Sequence, residues 1–169
     1  MSITISSPVN NISPVIDTQR LSLFLIQNRM FSPVSGTTPD FVAETTNTGG
    51  SSPAKYITRP ITLENEATAL DVRLTASVQS TSSVKVFYRT TSADDTRKLG
   101  DVAWRAFNTD GTADSVPEPS KDDNDFKEQK FTVSGLEPFS AFSLKIVLTG
   151  TISSYPPLIK DMRGIALAV

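Results

Sequence analysis

The 169-residue sequence contains no cysteine and no histidine. Without cysteine, the chain can form neither a disulfide framework nor a thiolate metal site. Without histidine, it lacks the commonest general base, the commonest metal ligand and the side chain that titrates near neutral pH. These absences exclude most hydrolase arrangements. Because the remaining residues form no catalytic constellation either, we expect a chain that is not an enzyme and needs no cofactor. The acidic loops lack a complete ligand pattern, so we also expect it to need no metal.

The sequence also lacks a basic charge excess and a long apolar run. The formal net charge is -2, which gives nucleic acid no positively charged footprint to bind. No apolar run approaches the ~20 residues that a membrane-spanning helix requires. The N-terminal residues have neither the basic region nor the apolar stretch of a secretory signal. We therefore expect no nucleic acid partner and no membrane insertion.

Serine and threonine are abundant and together make up about a quarter of the chain. The chain also contains eleven prolines and eight glycines. Such a composition favours short strands joined by turns over long helices. A chain of 169 residues is long enough for one domain that buries roughly 70% of its unfolded surface.

The clearest structural signal is the alternation of apolar and polar residues between residues 139 and 148. One face carries apolar side chains, at Phe142, Leu144, Ile146 and Leu148. The other face is polar, at Ser143, Lys145 and Thr149, with Val147 as an exception. A period of two is typical of a strand that is buried on one side. The pattern predicts a central strand whose Lys145 side chain lies in solvent.

Further segments alternate in the same way. They are residues 70–76, 84–88, 131–133 and 165–169. The short polar stretch from Gln79 to Ser83 predicts a hairpin between the first two of these strands. Asp110 and Gly111 form a turn signal. Pro60 cannot donate a ladder hydrogen bond, so its strand is expected at a sheet edge or at a bulge.

Seven or eight short strands with turns between them predict an all-β fold, an antiparallel β-sandwich. The long polar stretch between the Tyr88 and Phe131 strands suits crossing connections, and the chain has no Cys-Trp-Cys framework. Both features favour a jelly-roll-like sandwich over an immunoglobulin-like one.

The N-terminal third differs in composition from the rest. Residues 32–53 are rich in Ser, Thr, Gly, Pro and Asn, and they predict a linker that buries little. We therefore divide the chain into an extended N-terminal arm with its linker (1–53) and a β-sandwich domain (54–169). The alternative is one domain with a long internal loop. The apolar run 15–26 fits either a strand or a helical turn.

Three groups of acidic residues are candidates for a functional site. Asp122, Asp123 and Asp125 could offer oxygens to calcium, but the EF-hand spacing is missing, and a solvated loop is expected; the same holds for Asp110 and Asp114. Asp94 and Asp95 could act as paired carboxylates in glycoside hydrolysis, but the spacing does not favour it. Trp104, with Tyr88 and Phe107, could stack on a sugar, or it could anchor the core.

Residues 14–169 resemble a domain of the virion structural proteins, in the tail or baseplate, of T4-like myoviruses that infect cyanobacteria (cyanophages). Four separated pieces carry the resemblance: PVID (14–17) with Asn28 and Arg29; KYITR (55–59) with Thr62 and Leu63; VKVFYRT (84–90) with Asp94, Asp95 and Trp104; and FSLKIVL (142–148) with Ser153, Ser154 and IKDMRGIAL (159–167). In the family, the domain stands at the end of much longer proteins, whereas here it follows a short leader.

The resemblance implies a non-enzymatic structural component of a phage virion, in the tail, the baseplate or a tail-fibre attachment. Its expected location is the phage tail, with assembly in the host cytoplasm, and its expected partners are other virion proteins and further copies of itself. The residues expected at the assembly interface are in the arm: Val15, Ile16, Leu21, Leu23, Phe24 and Leu25. An apolar segment on a polar tether can dock on the sheet edge or groove of a neighbour.

Two other functions remain open. The chain could be a carbohydrate-binding module that recognises a host surface glycan as receptor, with Trp104 as its platform. More remotely, it could be an enzyme that degrades polysaccharide. The position of Trp104 distinguishes the structural role from the glycan-binding role, because a buried indole cannot stack on a sugar.

Overall fold

The computed structural model describes residues 44–50, 52, 54–150 and 155–168. Within these ranges the chain is almost entirely β-structure. The elements are β1 (Lys55–Ile57), β2 (Ile61–Ala67), β3 (Ala69–Ser77), β4 (Ser82–Thr91), a 3₁₀ helix (Leu99–Asp101), β5 (Arg105–Ala106), β6 (Lys127–Val133), β7 (Phe139–Gly150) and β8 (Leu158–Leu167). All paired strands are antiparallel. The predicted all-β class and the β-sandwich are confirmed.

The strands form two sheets. In sheet 1, β7 pairs with β4, and β4 pairs in turn with the short β5. The other edge of β7 is shared by β1, which lies opposite residues 145–147, and by β2, which lies opposite residues 139–142. Sheet 2 has three strands, with β3 between β6 and β8. Strand β7 therefore lies inside sheet 1 and organises it.

The pairing order is nested, because β4 pairs with β5, β3 with β6 and β2 with β7. The first and last of these pairs lie in sheet 1 and the middle pair lies in sheet 2. A ribbon of nested strand pairs that wraps over two sheets is the jelly-roll arrangement. Strand β8 is not a member of these nested pairs, and it pairs with the second edge of β3.

The predicted hairpin between β3 and β4 is wrong, because these strands belong to different sheets. The turn itself is present, since the amide of Ser82 donates to the carbonyl of Gln79 at 2.9 Å. Beyond β3, Val78 pairs with Ser120, whose hydroxyl accepts from the Val78 amide at 2.9 Å. The turn therefore carries the chain across the sandwich. A short loop between alternating strands does not distinguish a hairpin from an arch between two sheets.

The core lies between the two sheets and is built from the faces that the alternation predicts. Its fully buried members include Leu70, Val72, Leu74, Val86, Phe107, Phe131, Phe139, Phe142, Leu144 and Ile146. The rings of Tyr88 and Phe107 pack with their centroids 4.9 Å apart. Each buried Leu, Ile or Phe contributes roughly 1.5–3 kcal/mol by leaving water, so this layer supplies the main stabilisation of the fold.

The polar face of β7 is also buried, which contradicts the expectation for Lys145. The Lys145 side chain is 0% exposed, and Ser143 and Val147 are buried beside it. Trp104 and Phe87 pack with Val147 in a second apolar cluster. Residues 44–49 lie over the same face, since the Lys145 ammonium donates to the carbonyls of Glu44 and Gly49. Strand β7 is thus covered on both sides.

Pro60 and Gly111 behave as their sequence signals indicate. Pro60 lies in the break between β1 and β2 at the edge of sheet 1, and the register of β2 shifts between Thr62 and Ala67. Gly111 has φ +90°, and a Cβ there would lie 3.1 Å from the carbonyl oxygen of Val86. Only glycine accommodates that conformation so close to another backbone.

Candidate functional site

The six arm residues expected at the assembly interface lie outside the described residues, so their role stays a prediction. They are Val15, Ile16, Leu21, Leu23, Phe24 and Leu25. The division of the chain into an arm with linker (1–53) and a sandwich domain (54–169) also stays a prediction. However, the described end of the linker does not stand apart from the sandwich.

Residues 44–50 are joined to sheet 1 by hydrogen bonds. The carbonyl of Thr45 accepts from the amide of Trp104 at 2.9 Å. The Lys55 ammonium donates to the carbonyls of Gly49 and Gly50, at 2.7 Å in each case. Because these bonds join the linker to β1 and to the segment before β5, its last residues form part of the folded unit.

The carboxylate of Glu44, in the same segment, is buried. Its Oε1 accepts from the amide of Ser52 at 2.6 Å. Gly50 has φ +78°, and a Cβ there would lie 2.5 Å from the carboxyl carbon of Glu44. The absent side chain of Gly50 therefore leaves the space that the Glu44 carboxylate occupies. Sequence inspection missed Glu44 because it stands at the border of a polar, glycine-rich stretch.

Lys145 meets this carboxylate from β7. Its ammonium lies 3.1 Å from Oε2 of Glu44 and 3.0 Å from the carbonyl oxygen of Gly49, and it also donates to the Glu44 carbonyl. The ring centroids of Phe87 and Trp104 lie 4.8 and 5.1 Å from the same nitrogen. Carboxylate, carbonyls and aromatic faces thus compensate for lost hydration. We call Glu44, Lys145, Phe87 and Trp104 the outer-face cluster.

Burial lowers the pKa of Lys145 to about 8, and the Glu44 carboxylate opposes this shift. Burial also lowers the pKa of the neighbouring Lys55, again against the attraction of Glu44. A lysine with a lowered pKa can act as a nucleophile or base. Lys145, however, is fully buried and already bonded to Glu44. Its arrangement is therefore that of a structural residue, which holds residues 44–49 against β7.

Trp104 is 2% exposed. It lies on the outer face of sheet 1, where the guanidinium carbon of Arg89 sits 4.3 Å from its ring centroid. Tyr88 and Phe107 pack instead into the core between the sheets. The structure therefore does not bring these three rings together, and the sugar-stacking platform considered for them is absent.

The acidic pair Asp94 and Asp95 is not arranged as a catalytic dyad. The Asp95 carboxylate accepts from the Arg97 guanidinium at 2.7 Å. This hydrogen bond, with a second one from the Arg97 amide, lowers the pKa of Asp95 to about 2. A general acid for glycoside hydrolysis needs a raised pKa. Asp95 has the opposite shift.

The carboxylates of the other acidic loops accept hydrogen bonds from protein donors. Asp122 accepts from the amide of Asn124 at 2.8 Å, and Asp125 accepts from the amide of Lys121 at 2.9 Å. Asp123 accepts from Gln79. Similar bonds occur at Asp110 and Asp114, which accept from Thr112 and Thr132. Among the residues that the structure describes, no group of three acidic side chains is placed to hold a metal ion.

A shallow pocket of about 240 Å³ opens beside the outer-face cluster, with Lys85 and Asp110 in its wall. Pockets for drug-sized ligands usually measure ~300–1,000 Å³. Lys85 and Asp110 are bonded to each other at 2.8 Å, so neither charge is free for a ligand. In the described ranges no helix has the length and apolarity needed to cross a membrane.

Strand β8 is largely exposed to solvent, at seven of its ten residues. It forms one edge of sheet 2 and, within the described ranges, pairs with β3 alone. Ile165 and Leu167 are 45% and 42% exposed. They lie next to Asp71 and Ala69 of β3. An accessible strand with exposed apolar side chains is a typical protein-docking surface.

Neither a protein-family model nor a curated protein matches the chain. Two solved structures from infectious bursal disease virus are similar to 66% of it. One is a structure of the Gx strain, at 8% identity and a TM-score of 0.39, and the other is a VP2 subviral particle, at 10% identity and a TM-score of 0.34. The chain covers 26% and 25% of their respective lengths. Since both TM-scores are below 0.5, these similarities carry no argument about fold or function.

Proposed function

We propose that this chain is a non-enzymatic structural component of a phage virion that acts through protein–protein contacts in the tail, the baseplate or a tail-fibre attachment. The observation that carries the proposal is the accessible β8 edge with its apolar side chains Ile165 and Leu167. The resemblance to cyanophage virion proteins, which includes most of β8, supports the same role and supplies the location.

The ion pairs of the described side chains support a structural role. The Lys145 ammonium, with its lowered pKa, is enclosed in the outer-face cluster, and the carboxylates of Asp95 and Asp110 are bound to Arg97 and Lys85. Such pairs fix loops and strands in place. The six arm residues expected at the assembly interface provide the contact with neighbouring subunits, and the sandwich provides the rigid base.

The alternative of a glycan-binding module loses its proposed platform, since the Trp104 indole is covered by the turn at residues 44–49 and by Arg89. A glycan would have to bind elsewhere on the surface. A glycan-array measurement separates the two functions. The structural proposal predicts no carbohydrate signal, whereas specific retention of a glycan would favour receptor recognition.

The proposal is tested by removing residues 1–31 and supplying the truncated or full-length chain, each with the same affinity tag, to assembling virions. We expect purified particles to contain the full-length chain and to lack the truncated one. The truncated chain should keep a cooperative melting transition, because the described contacts begin at Glu44. A full-length chain that is absent from particles would overturn the structural role.

Point variants test whether incorporation requires the apolar side chains of the arm or only a chain segment of that length. Replacing Leu21, Leu23 and Leu25 by serine removes one apolar face of the predicted strand and should prevent incorporation. The matched control replaces Thr37 and Thr38 by serine in the polar linker and should incorporate normally. Normal incorporation of the leucine variant, or an unfolded truncated chain, would overturn the role of the arm.

A further inference from the structure

Three of the four sheet edges in the described residues are short, interrupted or covered. Strand β5 has two residues. The edge formed by β1 and β2 is broken at Pro60. On β6, the Asp114 amide donates to the Lys130 carbonyl at 2.8 Å, and the Thr132 amide donates to the Asp114 carboxylate at 3.1 Å. Loops and interruptions of this kind prevent the addition of another strand.

Within the described residues, strand β8 is neither short nor covered by a loop, and a bulge at Lys160 is its one interruption. It has ten residues, and its pairing with β3 is regular from Asp161 to Leu167. The register shifts between Asp161 and Ile159, where Lys160 is the extra residue. In a strand, alternate backbone N–H and C=O groups point away from the paired neighbour. The outer edge of β8 therefore presents these groups to a further strand.

The sequence of β8 is self-complementary about Met162. Asp161 and Arg163 stand on either side of it and share the outward face of sheet 2, opposite Thr75 and Arg73. If two copies of β8 pair antiparallel with Met162 opposite Met162, Asp161 of each copy lies opposite Arg163 of the other. Opposite charges on directly opposed residues stabilise an antiparallel pair, and like charges destabilise it. The neighbouring register, with Arg163 opposite Arg163, is thereby disfavoured.

We propose that β8 pairs with β8 of a second copy across a two-fold axis at Met162, joining the two three-stranded sheets into one six-stranded sheet. The inference rests on the proposed assembly role and names the copy–copy contact within it. An isologous contact of this kind is self-complementary and closes as a dimer.

Side chains on both faces fit this arrangement. The half-buried Met162 and Ala166 pack against the edge of the core, and the second copy would extend that apolar layer. On the outer face, Arg163 holds Asp161 of its own strand at 3.1 Å. In the dimer each arginine reaches the opposing carboxylate instead. Ile165 and Leu167 then flank the contact and lose exposed apolar surface.

Charge reversal tests the register. Asp161→Arg places arginines opposite each other twice and should weaken the dimer by roughly tenfold or more in sedimentation experiments. Arg163→Asp should do the same with carboxylates. The double variant D161R/R163D exchanges the two charges and should restore the dimer. Matched controls are Asp94→Arg and Lys98→Asp, which change the net charge equally at exposed sites away from β8 and should leave the dimer intact.

Cross-linking tests the axis, because the chain has no cysteine of its own. Two cysteines at position 162 would face each other at a distance that a disulfide can bridge. Met162→Cys should therefore give a covalent dimer under a mild copper oxidant, and Leu167→Cys, far from the axis, should not. Efficient cross-linking at 167 but not at 162 would overturn the register.

The outcomes are distinct from those of the virion experiment. A full-length chain that is monomeric at ~100 µM would overturn the β8 contact, and so would a dimer that is indifferent to both charge reversals and not cross-linked at position 162. Removal of residues 1–31 should leave the β8 dimer intact while preventing incorporation. A β8 dimer that forms in a chain absent from virions would overturn the virion role but keep the contact.

Discussion

The Lys145 ammonium and the Glu44 carboxylate lie 3.1 Å apart, although 101 positions separate them in the sequence. The lysine belongs to the central strand of sheet 1, and the glutamate belongs to the end of the predicted linker. Both side chains are almost completely buried. A buried charge without its partner costs several kcal/mol, so the pair fixes where the chain enters the sandwich.

The first prediction compares neighbouring residues of β7. Leu144→Ala leaves a cavity between the sheets and should lower the free energy of unfolding by roughly 2–5 kcal/mol. Lys145→Ala removes the nearer partner of the buried Glu44 carboxylate and leaves only the Lys55 ammonium, 3.8 Å from Oε2, so it should cost up to roughly 3–5 kcal/mol. Denaturant titration measures both. An unaffected Lys145→Ala variant would show that the ammonium is hydrated in solution and that the outer face is open.

The second prediction concerns coupling between the two charges. Lys145→Met leaves Glu44 with only the Lys55 ammonium, 3.8 Å from Oε2, and Glu44→Gln leaves both lysines without the carboxylate. Each single variant should therefore be destabilising. The double variant removes both charges while keeping similar volumes, so it should cost much less than the sum of the single effects. The coupling is obtained from a double-mutant cycle of unfolding free energies. Additive effects would mean that the two groups act independently.

The third prediction is a pH dependence that follows from the pKa of Lys145. The pKa is about 8 in the folded chain, against 10.5 for an unperturbed lysine. Between these values the unfolded chain binds more protons than the folded chain, so this group makes stability rise with pH. From pH 7.5 to 9.5 the wild type should gain on the order of 1 kcal/mol relative to Lys145→Met. A constant difference between the two proteins would contradict the shifted pKa.

The fourth prediction separates the arm from the linker. A chain that begins at residue 32 keeps Glu44 and should melt close to the full-length chain. A chain that begins at residue 54 loses Glu44 and the turn over Trp104, and should melt clearly lower or aggregate. Calorimetry on the two truncated chains checks this. Equal melting temperatures would place residues 44–52 outside the cooperative unit and would support a boundary at residue 54.

The fifth prediction concerns metal ions. The carboxylates of Asp122, Asp123 and Asp125 accept hydrogen bonds from protein donors, and no group of three acidic side chains in the described ranges is placed to hold a metal ion. Thermal melts with and without a chelator should coincide. A fall of several degrees on chelation, reversed by added calcium, would show that these loops bind metal.

Much of the fold could be predicted from the sequence, because burial on one face of a strand leaves a period of two. The inward residues of β3, β4 and β7, the edge position of Pro60 and the turn at Gly111 all followed from that rule and from local backbone chemistry. Strand pairing did not follow, since a five-residue turn fits a hairpin and an arch equally well. For that reason the partners of β3 were mistaken.

The outer-face cluster was missed although the sequence carried a signal for it. Phe87 and Val147 both interrupt the polar faces of their strands, and they lie next to each other through the pairs Phe87–Lys145 and Lys85–Val147. Two apolar exceptions on neighbouring strands indicate that something covers that face. Residues 44–49 and Trp104 cover this outer face of β4 and β7. No local sequence pattern links segments that are so far apart in the chain. The predicted solvent exposure of Lys145 failed for this reason.

The central position of β7 determines the order in which the chain can fold during synthesis. Strands β1, β2 and β4 all require β7 as their neighbour in sheet 1, and β7 ends at Gly150. Until that residue has left the ribosome, the earlier strands have exposed apolar faces and incomplete ladders. Long-range pairing of this kind folds slowly. The nascent chain therefore exposes apolar strand faces, which chaperones recognise, until β7 has been synthesised and can pair with the earlier strands.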